Sequence, residues 1–319
     1  MPKALIQAAL ALALAGVAFA ASAFPTRAVT IVVPAPTGGT ADLVVRTITP
    51  RLAAALGVPV VVENKAGAGG VIASQAVAAA APDGHTVLMN YTSHAINPWL
   101  VAKLPYDSAS AFAPVAFLGK VPLLVAVPAD GPVRNAAELV ALAKAKPGEM
   151  SYGSSAVGGA SHLGGELFSQ LTGGRLVHVG YKGGAPAALD LASGRISLLL
   201  DSSLPLQPHV QSGRVRIVGI AAEQPSAVFP QYEPVGRLLP GFEATAWFGI
   251  VAPAAAPAAA IARLNAEINR LLADPDLRRQ LIERGFEPQA LSPAEWGAFM
   301  AAETRRWGEL IRKADLKAQ

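Results

Sequence analysis

The chain has 319 residues, enough for about two domains of ~150 residues each. It contains no cysteine, which excludes disulfides, thiolate metal sites and thiol catalysis. Its formal charge of +4 is small and scattered, so it does not indicate a nucleic-acid-binding protein, although a mild positive excess suits acidic small molecules.

The first segment, residues 1–23, has the composition of a secretory signal peptide. Lys3 supplies a short basic region, residues 4–20 form a weakly apolar run, and small residues then match a cleavage site. The alternative is a membrane anchor, but the run is short and rich in alanine rather than leucine. We therefore predict a cleaved signal peptide, a mature chain that starts at Phe24, and a location in the periplasm.

Strand-like and helix-like segments alternate through the next part of the chain. The β-rich runs at 29–33, 60–62 and 86–89 are separated by helical patterns at 43–56 and 71–81. This βαβαβ order predicts a mostly parallel sheet with helices on both faces.

The same alternation returns further along the chain. Strands are predicted at 123–127, 151–152, 177–179, 196–200, 216–221 and 247–251. Helices are predicted at 136–146, 161–171 and 185–192, followed by three C-terminal helices at 257–273, 276–284 and 293–313.

These elements predict an α/β protein with two lobes, each a mostly parallel sheet flanked by helices. The first lobe comprises residues 24–122 plus 223–319, and the second lobe comprises residues 123–222. Two chain crossings, at 120–124 and 221–224, are expected to form a hinge between the lobes.

The sequence lacks the motifs of common enzyme classes. Ser154 and Ser155 do not lie in a Gly-x-Ser-x-Gly pattern, and the glycine-rich run at 67–72 lacks the last glycine of a dinucleotide fingerprint. No two of the five histidines lie at a metal-ligand spacing such as i, i+4. We therefore predict no catalytic residue, no metal site and no cofactor, and expect a binding protein rather than an enzyme.

Two turns rich in small residues are the strongest candidates for a binding site. Residues 36–42 and 153–162 each follow a strand and precede a helix, so their N–H groups and hydroxyls can contact an anion at a helix N-terminus. Ser93 and Asp201 follow two further strands, at the edge where α/β proteins place ligand groups. The predicted ligand-binding residues are Thr37, Gly38, Gly39, Thr40, Asp42, Ser93, Ser154, Ser155, Gly158, Ser161, His162 and Asp201.

Several of these residues have a structural alternative. Asp42 falls in the first helical turn and can cap that turn locally, while its direct contact with an anion would be repulsive. Ser161 is expected to be the N-cap of the helix that follows it. His162 can point at a ligand or pack between elements, and Lys182 can bind an anion or be an exposed turn residue.

A set of short motifs recurs in a characteristic order and spacing along the mature chain. They lie at residues 31–34, 38–42, 61–70, 82–86, 97–98, 104–107, 152–155, 162–168, 181–183, 241–243 and 247–249. Together they resemble the substrate-binding proteins of tripartite tricarboxylate transporters, also called the Bug family, of bacterial periplasms. The chain departs from the family pattern at Ala35, where an aromatic residue is common, at Ala156, where glycine is usual, and in residues 223–240.

The resemblance implies a type II periplasmic-binding fold, in which two lobes close around a ligand in the cleft between them. Family members commonly bind amino acids or di- and tricarboxylic acids through turn backbone, hydroxyls and ordered waters rather than through arginine. The implied partner is a membrane permease of two subunits, and the receptor itself is expected to be a monomer.

We therefore expect an extracytoplasmic solute-binding protein for a small carboxylate, which can be an amino-acid, di- or tricarboxylic or aromatic acid. Residues 37–40 are expected to bind from one lobe and residues 154–161 from the other. One alternative is a sensor that presents its closed form to a receptor kinase. Another is a secreted α/β enzyme that uses Asp42, His162 or Asp201.

Overall fold

The computed structural model describes residues 24–316, so the predicted signal peptide at 1–23 lies outside the described residues. The strands are β1 (Val29–Val33), β2 (Val60–Asn64), β3 (Thr86–Tyr91), β4 (Phe112–Pro122), β5 (Leu124–Pro128), β6 (Ser151–Ser154), β7 (Val177–Gly180), β8 (Leu198–Asp201), β9 (Val215–Ile220), β10 (Thr245–Pro253) and β11 (Glu287–Pro288). The helices are α1 (Thr40–Leu56), α2 (Val71–Ala78), α3 (Ser93–Leu100), α4 (Ala136–Ala145), α5 (Ala160–Thr172), α6 (Gly184–Ala192), α7 (Ser203–Gln211), α8 (Ala258–Leu272), α9 (Pro275–Glu283) and α10 (Pro293–Lys313). None of the helices described here is long and apolar enough to cross a membrane.

Two sheets divide the molecule into two lobes. The first has six strands in the order β11-β4-β10-β3-β1-β2, and the second has five in the order β7-β6-β8-β5-β9. The predicted two-lobed α/β architecture is confirmed, with helices packed on both sheets. Each sheet is mixed, because β4, β5, β9 and β10 pair antiparallel with their neighbours. The parallel pairs are those of β1 with β2 and β3, and of β6 with β7 and β8.

A tryptophan-rich cluster forms the part of the core that joins the lobes. Trp247 of β10 and Trp296 of α10 are fully buried, and their ring centroids lie 5.2 Å apart. The Glu303 carboxylate accepts hydrogen bonds from the indole N–H groups of Trp247 and Trp307, each at 2.9 Å. The same cluster includes Leu123 beside the second sheet, so the C-terminal helix packs against the junction of both lobes.

Two chain segments cross between the sheets side by side, where the sequence predicts a hinge. The first crossing lies at Leu123, between β4 and β5, and the second lies between residues 244 and 245, where β10 begins. The carbonyl of Leu123 accepts from the N–H of Ala221 at 2.8 Å, and the carbonyl of Ala221 accepts from the N–H of Ala244 at 2.9 Å. These two bonds hold the crossing segments together at the centre of the molecule.

The segment 223–243 lies on the second lobe, whereas the boundary predicted at 223 assigns it to the first. Glu233 accepts a backbone hydrogen bond from Ile220 of β9, and Ala222 accepts one from Gly236. Phe242 packs against Phe168 of α5 with their ring centroids 5.5 Å apart. The second crossing therefore lies after this segment rather than at 221–224.

Four elements have no predicted counterpart: β4, β11, α3 and α7. Each of them contains a proline, namely Pro114 in β4, Pro288 in β11, Pro98 in α3 and Pro208 in α7. Proline is a strong breaker signal in sequence, but β4 accommodates it next to irregularities in its pairing with β10. The two helices matter for function, because both begin at the cleft between the lobes.

Candidate functional site

A cleft between the lobes collects residues from the carboxyl ends of β1, β3, β6 and β8. It contains a cavity of about 640 Å³ and, adjoining it, a smaller one of about 190 Å³. Ser155, Asp201 and Ser202 come from the second lobe and face the first lobe across this space. The residues that line both cavities are Thr40, Tyr91, Ser155, Asp201, Ser202 and Phe248.

Five helices, α1, α3, α5, α6 and α7, begin at the cleft. The structure shows no side-chain cap at any of these five N-termini, whose N-cap residues are Gly39, Thr92, Gly159, Gly183 and Ser202. The first N–H groups of a helix have no acceptor within the helix, so these termini place donors and positive dipole ends around one space. An anion is the group that such an arrangement favours.

Of the five helices that begin elsewhere, α2 and α8 also have no side-chain cap, whereas α4, α9 and α10 have one. Asn135, Asp274 and Ser292 accept hydrogen bonds from the first turns of these helices, and Ser292 forms a complete capping box with Glu295. Among the residues described, neither Lys nor Arg lines either cavity of the cleft. The cleft therefore offers an anion backbone N–H groups and helix dipoles rather than Lys or Arg side chains.

The first turn is held in shape by Asp42. Gly38 has a φ of +85°, in the left-handed region, and its N–H donates to Asp42 Oδ2 at 3.0 Å. Arg46 and Asn64 donate to the same carboxylate at 2.8 and 2.9 Å. Burial raises the pKa of Asp42, but these hydrogen bonds outweigh it and lower the pKa below its usual value. Asp42 is 1% exposed and lies outside the lining of both cavities, so its contacts are those of a local cap.

The second turn is held by Ser161 and His162. Ser161 Oγ accepts from the N–H of Ser155 at 3.3 Å, and His162 Nδ1 accepts from the N–H of Gly158 at 3.2 Å. The expectation that Ser161 is the N-cap is wrong, because the helix begins at Ala160 and its N-cap is Gly159, two residues before Ser161. Ser161 instead supports the turn from inside the helix and still lines the smaller cavity.

One hydrogen bond joins the lobes across the cleft. Ser93, at the start of α3 in the first lobe, donates from Oγ to the carbonyl of Gly158 in the second lobe at 3.2 Å. Gly158 has a φ of +74°, so the carbonyl is presented by a left-handed residue.

A buried polar chain lies behind the second turn. Ser154 Oγ lies 2.7 Å from His178 Nε2, and the rings of His178 and His162 have their centroids 4.1 Å apart. Burial, with a smaller contribution from the neighbouring His178, lowers the pKa of His162 to about 4. His162, His178 and Gly158 line a separate cavity of about 600 Å³, which meets the cleft at Gly69.

The predicted site residues therefore fall into three groups. Those that line the cleft are Gly38, Gly39, Thr40, Ser93, Ser155, Ser161 and Asp201. Gly158 and His162 line the neighbouring cavity, while Thr37, Asp42 and Ser154 line neither and support the turns through hydrogen bonds.

Two aromatic residues of the cleft were not among the predicted site residues. Tyr91 ends β3, two residues before the predicted Ser93, so its place at the end of a strand could have indicated it from the sequence. Phe248 lies inside β10 and reaches the cleft because its register partner on β3 is Tyr91. Register between strands so distant in sequence cannot be read from one chain.

Comparison with known proteins gives a consistent result. The family model described as "Tripartite tricarboxylate transporter family receptor" matches residues 44–316. A UPF0065 protein from the tcbD-tcbE intergenic region of Pseudomonas sp. strain P51 is 36% identical over 298 residues, which cover 93% of this chain and 89% of that protein. Protein BugT of Bordetella pertussis is 33% identical over 311 residues, which cover 96% of this chain and 95% of BugT.

Two solved structures with bound acids share the fold. Rpa4515 of R. palustris, solved with adipate, has a TM-score of 0.84 and 33% identity, and the match covers 93% of this chain and all (100%) of that chain. MatC (Rpa3494) of Rhodopseudomonas palustris, solved with bound malate, has a TM-score of 0.77 and 32% identity over 90% of this chain and 100% of that chain. The chain therefore belongs to the tripartite tricarboxylate transporter receptor family, the Bug proteins, whose members are periplasmic solute-binding proteins.

Proposed function

We propose that this protein captures a small carboxylate outside the cytoplasm and presents its closed, liganded form to a two-subunit membrane permease. The observation that carries the proposal is the convergence of five helix N-termini without side-chain caps on one cleft. A carboxylate can accept N–H bonds from several of these termini at once and gains from each dipole.

The lining of the larger cavity also matches a small organic acid. Tyr91 and Phe248 of the first lobe and Leu204 and Pro205 of the second form the apolar wall of this cavity, which the N-termini of α1 and α6 also line. A carbon chain can pack against this wall while its carboxylate binds the backbone donors. A volume of about 640 Å³ accommodates a small acid and is too small for a polymer.

The two sides of the cleft explain how binding is coupled to closure. Thr40 belongs to the first lobe and Ser155 to the second, and both line the same two cavities. A ligand that contacts both residues binds the closed form more tightly, so it shifts the population toward closure. The bond between Ser93 and Gly158 then adds to the stability of that form.

The relatives support the class of ligand. Rpa4515 was solved with adipate and MatC with malate, and both are similar to this chain over almost its whole described length. Both acids carry two carboxylates on a short carbon chain. The same class of ligand fits the backbone donors and the apolar wall of this cleft.

A calorimetric panel tests carboxylate binding. Purified protein is titrated with mono-, di- and tricarboxylic acids and, as matched controls, with the corresponding neutral amides. We expect at least one acid to bind and its amide to fail, and saturation at 100 times Kd to stabilise the protein by about 2.7 kcal/mol in a thermal melt. The absence of heat and of thermal shift for every acid would contradict the proposal.

A pair of glycine variants tests the location of the site. Gly158→Val forces a branched residue into a left-handed turn at the cleft, and Gly213→Val imposes the same strain on a surface turn with a φ of +70°. We expect only the first variant to lose binding. Equal affinities of the two variants for the ligand would show that the second turn is not part of the binding site.

Two further measurements test export and delivery. Fractionation of the producing cells should place the protein in the periplasm, with Phe24 as its first residue by N-terminal sequencing. Deletion of the gene for this protein should abolish uptake of the bound acid, and so should deletion of either subunit of the permease. Uptake that persists without the receptor would contradict delivery to the permease.

A further inference from the structure

Asp201 is a carboxylate inside an anion-binding cleft. It ends β8, lines both cavities and is 7% exposed. Among the residues described, it is the one acidic side chain in the lining of either cavity. A second negative charge from a ligand would be repelled there unless another group of the ligand contacted Asp201 favourably.

The two oxygens of Asp201 have different environments. Oδ1 accepts from the N–H of Ser202 at 2.7 Å and from the Ser202 hydroxyl at 3.3 Å. Oδ2 is buried and has no hydrogen-bond partner among the described residues. A buried acceptor without a donor destabilises the folded protein by about 1–3 kcal/mol, and by more if the group is charged. A ligand that donates a hydrogen bond to Oδ2 would therefore gain binding free energy.

Gly184 keeps the space beside this oxygen open. A Cβ at residue 184 would lie 2.9 Å from Asp201 Oδ2 and 2.7 Å from Pro205 Cγ. Any larger residue would therefore fill the space in front of the unpartnered oxygen. Gly184 itself lines the larger cavity, so the open space is part of the cleft.

No described residue of the protein donates to Oδ2 in this structure. The Ser155 hydroxyl lies near Asp201 and opposes the rise in its pKa, but it makes no hydrogen bond to Oδ2. Neither Lys nor Arg of the described chain lines the two cavities. The helix N-termini bind the carboxylate of the ligand in the function proposed above, so a donor on the carbon chain of the same ligand can bond Oδ2.

We propose that Asp201 selects carboxylic acids that carry a hydrogen-bond donor, a hydroxyl or an ammonium group, over acids of the same carbon skeleton without one. The donor bonds Oδ2, while a carboxylate of the same ligand accepts from the helix N-termini. The inference rests on the proposed carboxylate-binding function. It identifies hydroxy acids and amino acids as the preferred ligands within the carboxylate class.

The test uses sets of acids that differ only at one carbon. Succinate, malate and aspartate form one set, glutarate, 2-hydroxyglutarate and glutamate a second, and propionate, lactate and alanine a third. Each is titrated into the purified protein by calorimetry. In the set that fits the cleft, we expect the hydroxy or amino acid to bind at least tenfold more tightly than the unsubstituted acid, and the better of the two identifies the donor.

A matched pair of variants assigns the preference to Asp201. Asp201→Asn keeps the shape of the side chain and removes its charge, and Asp130→Asn makes the same change in charge on an exposed loop outside the cleft. We expect Asp201→Asn to reduce the preference at least tenfold for an amino acid and to leave the affinity for the unsubstituted acid within threefold. Asp130→Asn should leave both affinities unchanged, and thermal melts of both variants establish that they fold.

The outcomes separate this inference from the proposed function. If no acid in any set binds, both are overturned. If unsubstituted acids bind as tightly as their hydroxy and amino counterparts, carboxylate binding stands and selection by Asp201 is overturned. A preference that Asp201→Asn leaves unchanged overturns it as well, because the donor would then bond another group.

Discussion

The buried carboxylate of Asp201, whose Oδ2 has no donor, has a consequence for the stability of the ligand-free protein. Burial raises the pKa of Asp201 to about 6 from an ordinary value of 3.8, and Ser202 and the nearby Ser155 hydroxyl only partly oppose this effect. The ionised side chain therefore destabilises the folded state at neutral pH. We expect Asp201→Asn, which cannot ionise, to be more stable than the wild-type protein at pH 7.5.

The size of this effect follows from the two pKa values. A tenfold change in proton affinity corresponds to about 1.4 kcal/mol, so values of about 6 and 3.8 correspond to about 3 kcal/mol of lost stability when Asp201 is fully ionised. Below pH 3.8 both the folded and unfolded states hold the proton and the cost is absent. Between the two pKa values the folded state keeps a proton that the unfolded state releases, so this contribution falls as pH rises, and the full cost is present above about pH 6.

Thermal melts of the ligand-free wild-type and variant proteins at pH 4, 5, 6 and 7.5 measure the effect. Groups other than Asp201 titrate in both proteins and cancel in the difference. We compare the melting temperature of the variant with that of the wild-type protein at each pH. We expect this difference to be about 6 °C larger at pH 7.5 than at pH 4, since about 3 kcal/mol corresponds to roughly that shift in a chain of this size. A difference in melting temperature that is independent of pH would refute the reasoning, because the side chain would then ionise without penalty.

Three further predictions concern the turns and the contact between the lobes. Gly39→Val should abolish binding in calorimetry, because Gly39 lines the cleft. It should cost little stability, because valine tolerates the φ of −75° at this position. A variant that binds like the wild-type protein would contradict this prediction. Ser93→Ala should weaken binding about fivefold, because one hydrogen bond contributes about 1 kcal/mol. The change should appear mainly as faster ligand dissociation in stopped-flow experiments, with Ser212→Ala on a surface turn as the control. Equal dissociation rates in the two variants would contradict a role for the Ser93 contact. The pKa of His162 is lowered to about 4 from 6.5. Between these two pH values the unfolded state binds a proton at His162 and the folded state does not, so the contribution of His162 to stability is lost as the pH falls from about 6.5 to 4. His162→Gln should reduce the loss of unfolding free energy between pH 6.5 and pH 4 by about 3 kcal/mol, as measured by thermal melts at several pH values. If stability depends on pH equally in the variant and the wild-type protein, the pKa of His162 is not lowered in the folded state.

Much of the fold could be predicted because its strands are continuous apolar runs with clear turn signals between them. The run at 29–33 is a buried strand as expected, and the C-terminal helix at 293–313 begins and ends where the sequence predicts. The strand β4 was not predicted, because the prolines and the glycine in its sequence indicate the end of a strand rather than its interior. Gly119 shows why the glycine stands there: a Cβ at this position would lie 2.1 Å from the carbonyl oxygen of Glu287 on the neighbouring strand.

The candidate site could be predicted in outline but not in its detailed roles. Glycine-rich turns after strands pointed to Gly39 and Ser155, and both residues line the cleft because the carboxyl ends of strands meet there. The roles of Asp42 and Ser161 depend on which hydrogen bonds close each turn, and both residues support a turn rather than cap a helix that faces solvent. Phe248 depends on strand register, which only the folded chain shows.

Neither Lys nor Arg of the described chain lines the cleft, and this affects how the protein can diverge. In the proposed function the donors for the carboxylate are backbone N–H groups of helix N-termini, so the loss of a single basic side chain would not remove them. Side chains of the lining, such as those at Ala35 and Asp201, could then change while the backbone donors stay in place. Gene duplication followed by a few substitutions in the lining would in this way give receptors for different acids.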